Sequence, residues 1–191
     1  MKRILLLILV LTVLVSGCTS LDDGSTDSTS EVVEPGNLVT VNYVGELENG
    51  TVFDTSVEQV AQEEGLYDPA RNYEPIAFVA GSGQMIPGFD EAVMGMAVGE
   101  EKTVEISPEE AYGEHSLELI FDIPVEQFES ANITPVVGED VSIQGRQCAI
   151  LNVSEENVTL DCNHQLAGET LIFTIEIVSI EDMEGNSNNI S

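Results

Sequence analysis

Four residues of this 191-residue chain carry rings, hydroxyls or a carboxylate, groups that can bind and orient a substrate: Tyr43, Phe53 and Asp54, which lie close together in the sequence, and Tyr112, which lies far from them. The pair Asn49-Gly50 is favoured in tight β-hairpins, so Phe53 is expected on a strand next to the one that carries Tyr43. Both rings then face one cavity, and the Asp54 carboxylate follows directly. Asp54 has a second interpretation, as a turn or cap residue after its strand.

Other kinds of chemistry lack the residues they need. Gly81-Ser82-Gly83 has no third glycine at the right spacing and no Walker lysine nearby, so it is predicted to be a plain loop rather than a nucleotide site. His115 and His164 are the only two histidines. A dedicated metal site is therefore not expected, and no cofactor is predicted.

The elements that position these residues are short. Ser56-Val57-Glu58-Gln59 has the pattern of a capping box, and the helix that follows should end at Gly65. A strand is predicted over 76–80, and a core helix over 87–96 whose first turn would form the floor of a pocket. Ser107-Pro108-Glu109-Glu110 combines a cap, a proline at the first helical position and a glutamate, so Tyr112 should emerge after about one turn.

Five segments, taken in order, resemble the FKBP-type peptidyl-prolyl isomerases. They are VTVNYVG at 39–45, NGTVFD at 49–54, MIPGF at 85–89, ISPEEAYG at 106–113 and LIF at 171–173. The resemblance implies an α+β fold, an antiparallel sheet wrapped on a short helix. It also implies cis-trans isomerisation of prolyl bonds without a cofactor, on unfolded or partly folded proline-containing polypeptides.

The chemistry implied by the resemblance is a rotation. A peptide bond resists twisting with a barrier of about 18–20 kcal/mol because twisting destroys amide resonance. The twisted amide is less polar than the planar one, so a water-poor aromatic pocket binds it preferentially, and each 1.4 kcal/mol of that preference is worth about tenfold in rate. No nucleophile or metal is needed.

The same resemblance assigns roles by position. The Tyr112 hydroxyl would donate to a substrate carbonyl, Asp54 would orient the substrate or nearby side chains, and the Ile86 N–H would hold the following carbonyl. Phe78 has an alternative role as a core residue. The substrate-binding side chains implied by the resemblance are Tyr43, Phe53, Phe78, Met85, Ile86, Phe89, Leu166 and Phe173.

Residues 116–161 interrupt the family pattern. They have their own alternation of apolar and polar residues, a predicted short helix at 125–130 and a predicted hairpin that turns near Glu155, and the motif Asn-His-x-Leu-Ala-Gly follows them at 163–168. This pattern resembles the insert-in-flap domain, a mainly β lobe inserted in the flap loop of SlyD-type members. In such members this lobe binds unfolded chain. The resemblance therefore implies a chaperone surface at Phe121, Ile123, Val125 and Phe128.

Cys148 and Cys162 lie on the two arms of that predicted hairpin. In an oxidising compartment they are an even pair, and a turn near Glu155 would place them nearly opposite each other. A disulfide is predicted, although the register could also place them diagonally or on opposite faces.

The N-terminal segment has the pattern of a lipoprotein signal peptide. Lys2 and Arg3 precede an apolar run, and LVSGC at 14–18 resembles a lipobox with Cys18 as the lipidated residue. The apolar run of 12 residues, 4–15, is shorter than the about 20 that span a bilayer. The alternative is a short uncleaved anchor. The expected location is extracytoplasmic, lipid-anchored to the outer face of the cell membrane.

Composition restricts the partners. The chain has 35 Asp and Glu against 5 Lys and Arg, a formal net charge of −30, which excludes nucleic acid and anionic membrane surfaces as natural partners. Contact with a membrane is therefore expected through the lipid alone. Such charge suits a saline habitat, such as that of a salt-loving archaeon, because salt screens self-repulsion, and it equally suits an ordinary acidic surface protein.

The predicted organisation has five parts: a signal peptide at 1–17, a flexible tether at 18–36, an isomerase domain at 37–115 and 162–182, the inserted domain at 116–161 and a polar tail at 183–191. A monomer is expected. Three functions compete: a prolyl isomerase and folding chaperone for exported proteins, a catalytically idle holding chaperone that uses the inserted lobe, and a structural envelope lipoprotein. The intact set of pocket residues favours the enzyme.

Overall fold

The computed structural model describes residues 32–183, which form two antiparallel sheets. The predicted signal peptide, Cys18, the predicted tether up to residue 31 and the predicted tail from residue 184 lie outside the described residues. No helix within 32–183 is long and apolar enough to cross a membrane.

The first sheet has five strands. These are β1 (Leu38–Leu47), β2 (Val52–Thr55), β3 (Ile76–Val79), β4 (Glu101–Ile106) and β9 (Leu171–Glu181). The order is β2-β1-β9-β4, and β3 pairs with the start of β1. The β1–β2 turn at Asn49-Gly50 forms as predicted, with the Gly50 N–H donating to the Leu47 carbonyl.

Two short helices accompany this sheet, α1 (Glu58–Glu63) and α2 (Pro87–Val93). The inward side chains of α2, with Phe89 1% and Val93 0% exposed, pack on the sheet and form the first core. The predicted length of α2, to residue 96, is three residues too long, because the Gly95 N–H instead bonds to the Val33 carbonyl.

The predicted capping box before α1 is wrong. The Ser56 hydroxyl accepts the Tyr43 N–H at 2.9 Å and is therefore used between strands, while the Thr55 hydroxyl accepts the Val57 N–H at 3.0 Å. The helix does end before Gly65, whose φ is +75°. The segment after Ser107 is a 3₁₀ turn, Pro108–Glu110.

The predicted tether extends too far. Val33 is 3% exposed in the first core, its N–H donates to the Met96 carbonyl at 2.9 Å, and Val32 bridges to Ala97. Val33 thus belongs to the first core while its neighbour Val32 is 37% exposed, so the packed part of the chain includes residues before 37.

The second sheet lies between β4 and β9 in the sequence. Its strands are β5 (Ile120–Pro124), β6 (Asp140–Ile143), β7 (Arg146–Val153) and β8 (Asn157–Asp161), in the order β5-β8-β7-β6, with α3 (Val125–Ser130) after β5. The helix has the predicted bounds. The sheet has a core of its own, which includes Val158 and Leu160, both 0% exposed.

A disulfide joins Cys148 and Cys162, with Cα atoms 4.1 Å apart. The β7–β8 register pairs Ala149 with Asp161, so the next pair along the hairpin brings the two cysteines opposite each other. Both are buried in the second core, where the bond joins β7 to the segment that leaves the sheet.

Candidate active site

Four aromatic rings from four different elements, two of them the central strands β1 and β9, meet in one cluster on the first sheet. Tyr43 comes from β1, Phe53 from β2, Phe89 from α2 and Phe173 from β9. Phe89 and Phe173 contact edge to face, with ring centroids 5.2 Å apart, and Phe53 meets Phe173 in the same way at 5.6 Å. They bound a cavity of about 270 Å³, lined by Tyr43, Phe53, Asp54, Ile76, Gln84, Met85, Ile86, Phe89, Tyr112 and Phe173.

Gly45 makes room for these rings. A Cβ at this position on β1 would lie 2.6 Å from Cζ of Phe53 and 3.0 Å from Cε1 of Phe173, closer than real Cβ contacts. Only a residue without a side chain lets both rings lie against the strand, so Gly45 helps to set the shape of the cavity wall.

A hydrogen-bonded network closes one wall. The Tyr43 hydroxyl donates to Oδ2 of Asp54 at 2.6 Å, and the Arg71 guanidinium donates to Oδ1 of Asp54 at 2.5 Å and to the Tyr43 hydroxyl at 3.2 Å. Burial, together with the adjacent Asp54 carboxylate, raises the pKa of Tyr43 to about 12. The Thr55 N–H also donates to Oδ1 of Asp54, at 2.9 Å, so three donors hold this carboxylate and two of them are side chains of other elements.

Tyr112 lies on the opposite side of the network, after the 3₁₀ turn. Gly113 has a φ of +78° and its N–H returns to the Pro108 carbonyl at 2.7 Å, so the chain reverses directly after Tyr112. The Tyr112 hydroxyl has no hydrogen-bond partner among residues 32–183. Burial first, and the Asp54 charge second, raise the pKa of Tyr112. The hydroxyl thus remains protonated and able to donate to a ligand.

The start of α2 supplies a second donor. The Ile86 carbonyl accepts the N–H groups of Phe89 and Asp90, at 3.0 and 3.1 Å, whereas its own N–H is paired with no acceptor in the described part of the chain. Because Ile86 lines the cavity, this N–H is placed for a ligand carbonyl.

Two predicted substrate-binding residues do not line the cavity. Phe78 is 3% exposed and packs edge to face on Phe89 from behind, with centroids 5.9 Å apart, so it is a core residue. Leu166 packs against the same core from the segment before β9. Both residues lie behind the side chains that line the cavity. The position of a residue in the sequence does not by itself distinguish a side chain that lines a cavity from one that packs behind it.

Three residues of the site were not predicted: Arg71, Ile76 and Gln84. Arg71 lies in the long loop between α1 and β3, which has no local pattern. Its one sequence signal is charge, because no other Lys or Arg lies between Arg3 and Lys102. A lone cation in so acidic a chain points to a specific carboxylate partner.

Polar contacts join the segment through which the chain enters the second sheet to the segment through which it leaves. The Asn163 amide accepts the Ser116 N–H at 2.9 Å and donates to the Ser116 carbonyl at 3.0 Å, and His115 lies 3.1 Å from Asp161. Burial opposes the charge of Asp161, but the bonds from Asn163 and His115 outweigh it and lower the pKa of Asp161. We call residues 113–116 and 161–168 the junction.

The arrangement suits binding and reorientation of an amide rather than bond cleavage. The cavity has an aromatic floor, a carboxylate held by three donors, and two donors that have no partner within residues 32–183. Within the described residues no three His, Cys, Asp or Glu side chains are grouped so that they could hold a metal ion. A wider cleft of about 750 Å³ at the junction has no aromatic floor apart from its histidines.

Comparison with known proteins agrees with this geometry. The family model of the FKBP-type peptidyl-prolyl cis-trans isomerases matches residues 29–178. The chain is 46% identical over 153 residues to the short-type peptidyl-prolyl cis-trans isomerase of Methanocaldococcus jannaschii, covering 80% of this chain and 97% of that protein. It is 34% identical over 129 residues to the isomerase SlyD of Pasteurella multocida, covering 65% of this chain and 64% of that protein.

An antiparallel sheet on a short helix, with an aromatic cavity between them, defines an FKBP-like α+β protein. The chain belongs to the FKBP-type peptidyl-prolyl cis-trans isomerase family. It is therefore an isomerase of prolyl bonds, and SlyD proteins are among its homologues.

Proposed function

We propose that this isomerase acts on unfolded or partly folded polypeptides outside the cytoplasm, where a lipid on Cys18 tethers it, and that its second sheet is an insert-in-flap domain that holds clients. The observation that supports the catalytic part is the cavity, in which a protonated Tyr112 hydroxyl, with no partner among residues 32–183, faces a floor of aromatic rings.

In this proposal the prolyl ring of the substrate enters between Tyr43, Phe89 and Phe173. Little water remains around the amide, and the less polar twisted form gains relative to the planar one. The Tyr112 hydroxyl and the Ile86 N–H hold carbonyls of the bound segment, so the part of the chain on one side of the prolyl bond is fixed while the other part rotates.

Asp54 and Arg71 act on the cavity wall. Arg71 neutralises Asp54 and donates to the Tyr43 hydroxyl, so the Tyr43 ring is held in one orientation from its polar end. A fixed wall favours catalysis because the binding energy is not spent on ordering side chains during the reaction.

The test of the site is a protease-free prolyl-peptide assay on single variants. Tyr112→Phe removes one hydrogen bond to the substrate and should lower kcat/KM by about threefold to tenfold. Asp54→Ala should lower it as well. Wild-type activity in both variants would place the site elsewhere or show it to be idle, as a pure holding chaperone requires.

The predicted chaperone residues need revision. Phe128 is 3% exposed in the second core, so its side chain is not displayed to a client, whereas Ile123 and Val125 are partly buried against that core and keep part of their surface exposed. The helix α3 turns its apolar side to the sheet. Phe121 on the edge strand is 39% exposed. The exposed apolar side chains of this lobe, which we call the client surface, are Leu117, Phe121, Ile133, Val136, Val137 and Leu151.

Exposed apolar side chains support client holding because they offer unfolded chain a place to bury its own apolar groups. A double variant, Val136→Ser with Val137→Ser, should slow isomerisation-limited refolding of a protein substrate and leave the prolyl-peptide rate unchanged. Val98→Ser, at a 53% exposed valine of the isomerase domain, is the matched control. Equal refolding rates for all three proteins would refute the client surface.

The location is tested on the expressed full chain. Mass spectrometry of the mature protein should show a lipid-modified N-terminus at Cys18, and Cys18→Ser should release the protein from the membrane fraction. An unmodified chain that begins at Met1 would contradict the lipoprotein proposal without affecting the catalytic one.

A further inference from the structure

One residue of the junction lies directly on the side chain proposed to donate to the substrate. The imidazole of His164 and the ring of Tyr112 are stacked face to face, with centroids 3.7 Å apart and planes inclined by 6°. Tyr112 is 39% exposed and its hydroxyl has no protein partner within residues 32–183. Its aromatic ring partner in the described structure is His164, so the stack is the contact that sets its orientation.

The orientation of His164 is itself fixed. Its Nδ1 lies 3.1 Å from the Leu166 N and accepts the Leu166 N–H. Nδ1 must therefore be unprotonated, which places the proton of the neutral ring on Nε2. The Leu166 side chain packs against the core of the isomerase domain. The hydrogen bond from the Leu166 N–H therefore holds the imidazole in place relative to that core.

The stack also lies at the entrance of the second sheet. His164 is two residues beyond the disulfide-bonded Cys162, and the turn that carries it is closed by the Ala167 N–H on the His164 carbonyl and by the Gly168 N–H on the Gly113 carbonyl. The turn of His164 and the turn of Tyr112 are thus hydrogen-bonded to each other through Gly168 and Gly113.

We propose that His164 is a positioning residue: the neutral imidazole, held by the Leu166 N–H, keeps the Tyr112 ring in the orientation that presents its hydroxyl to the cavity. The inference rests on the proposed role of Tyr112 as hydrogen-bond donor. It predicts that protonation of His164 weakens catalysis, because protonated Nδ1 is a donor that faces another donor and the ring must leave its position.

Other charged groups face this ring. Asp54 acts on Tyr112 from the cavity side. The cleft that His164 lines also contains His115, Asp140, Arg146 and Asp161. Histidine is the side chain that ordinarily changes charge between pH 5 and pH 8, so the assay must scan that range.

The kinetic test compares kcat/KM between pH 5 and pH 8.5 in the prolyl-peptide assay. Wild type should lose about fivefold as pH falls, the effect of one neutral hydrogen bond and one ring contact. His164→Ala should show the low value throughout, and His164→Phe, which keeps a ring but cannot titrate, should show no pH step. His115→Gln, at the other junction histidine, is the control and should retain the wild-type step.

A second measurement uses the unmodified protein and does not depend on a variant folding. In proton NMR the Tyr112 ring signals should move with pH at the same midpoint as the His164 ring signals, because a stacked imidazole shields them. Tyr112 signals that stay constant through the His164 titration would overturn the proposal. So would wild-type kinetics in His164→Ala while Tyr112→Phe is impaired. If Tyr112→Phe itself is fully active, the donor role fails, and the NMR result alone decides whether His164 positions the ring.

Discussion

Replacement of Tyr43 by Phe tests the network on the cavity wall at high pH. Tyr43 is 8% exposed, and burial followed by the Asp54 carboxylate raises its pKa from 10.0 to about 12. A raised pKa means that the folded protein holds the phenol proton more tightly than the unfolded chain does. The stabilisation is therefore complete below pH 10 and is lost as pH rises from about 10 through about 12.

The size of the effect follows from the two pKa values. Each pKa unit corresponds to about 1.4 kcal/mol, and the folded group is half ionised at about pH 12, so wild type should lose about 2 kcal/mol of unfolding free energy through this one group between pH 9 and pH 12. Tyr43→Phe has no proton to lose and should lack that part of the slope. At pH 7 the variant should be about 1–2 kcal/mol less stable, because the Asp54 carboxylate loses its short hydrogen bond but regains water.

The assay is urea unfolding, followed by far-ultraviolet circular dichroism at pH 8, 9, 10, 11 and 12. Tyr67→Phe, which removes an exposed phenol outside the cavity, is the matched control and should follow wild type. A pH dependence of Tyr43→Phe as steep as that of wild type would refute the reasoning, since the network would then not be what resists ionisation.

Three further predictions concern the same wall and the second sheet. Arg71→Gln should lower the free energy of unfolding by less than about 1 kcal/mol, because both partners of the Arg71–Asp54 ion pair are solvent-exposed. The same variant should lower kcat/KM in the prolyl-peptide assay. An unchanged kcat/KM would show that the cavity wall does not need a cation. Gly45→Ala places a Cβ 2.6 Å from a ring carbon of the cavity and should lower the free energy of unfolding in urea by about 1–3 kcal/mol. A variant that unfolds at the same urea concentration as wild type would contradict this prediction. Reduction of the Cys148–Cys162 bond, which closes a loop with a sequence separation of 14, should destabilise the second sheet by about 3 kcal/mol, and a Cys148→Ser, Cys162→Ser variant should show no response to reductant.

Much of the site could be predicted because its elements carry local signals. Asn49-Gly50 specifies the turn that brings Phe53 beside Tyr43, and the order of the aromatic segments corresponds to a known family. The bounds of α3 and the pairing of Cys148 with Cys162 followed from the same kind of local pattern.

What could not be predicted depends on depth and on long-range contacts. Phe78 and Phe128 have the same residue type as the cavity rings, but each faces a core, and sequence periodicity does not say which side of a sheet a ligand occupies. Arg71 reaches Asp54 from a loop 17 positions away without any repeating pattern. Val33 joins the core through a bond to Met96, a contact that composition alone gave no reason to expect.

The position of β9 has a consequence for how the chain folds. This last strand is central in the first sheet, where it pairs with β1 on one side and β4 on the other. During synthesis the isomerase sheet therefore stays open until residues 171–181 have been made, whereas the whole second sheet precedes them. Chains form their N-terminal units first. The second sheet, which has its own core, can therefore fold before β9 is available to pair with the other strands of the first sheet. The exposed apolar side chains of the second sheet are thus in place at a time when the first sheet is still incomplete.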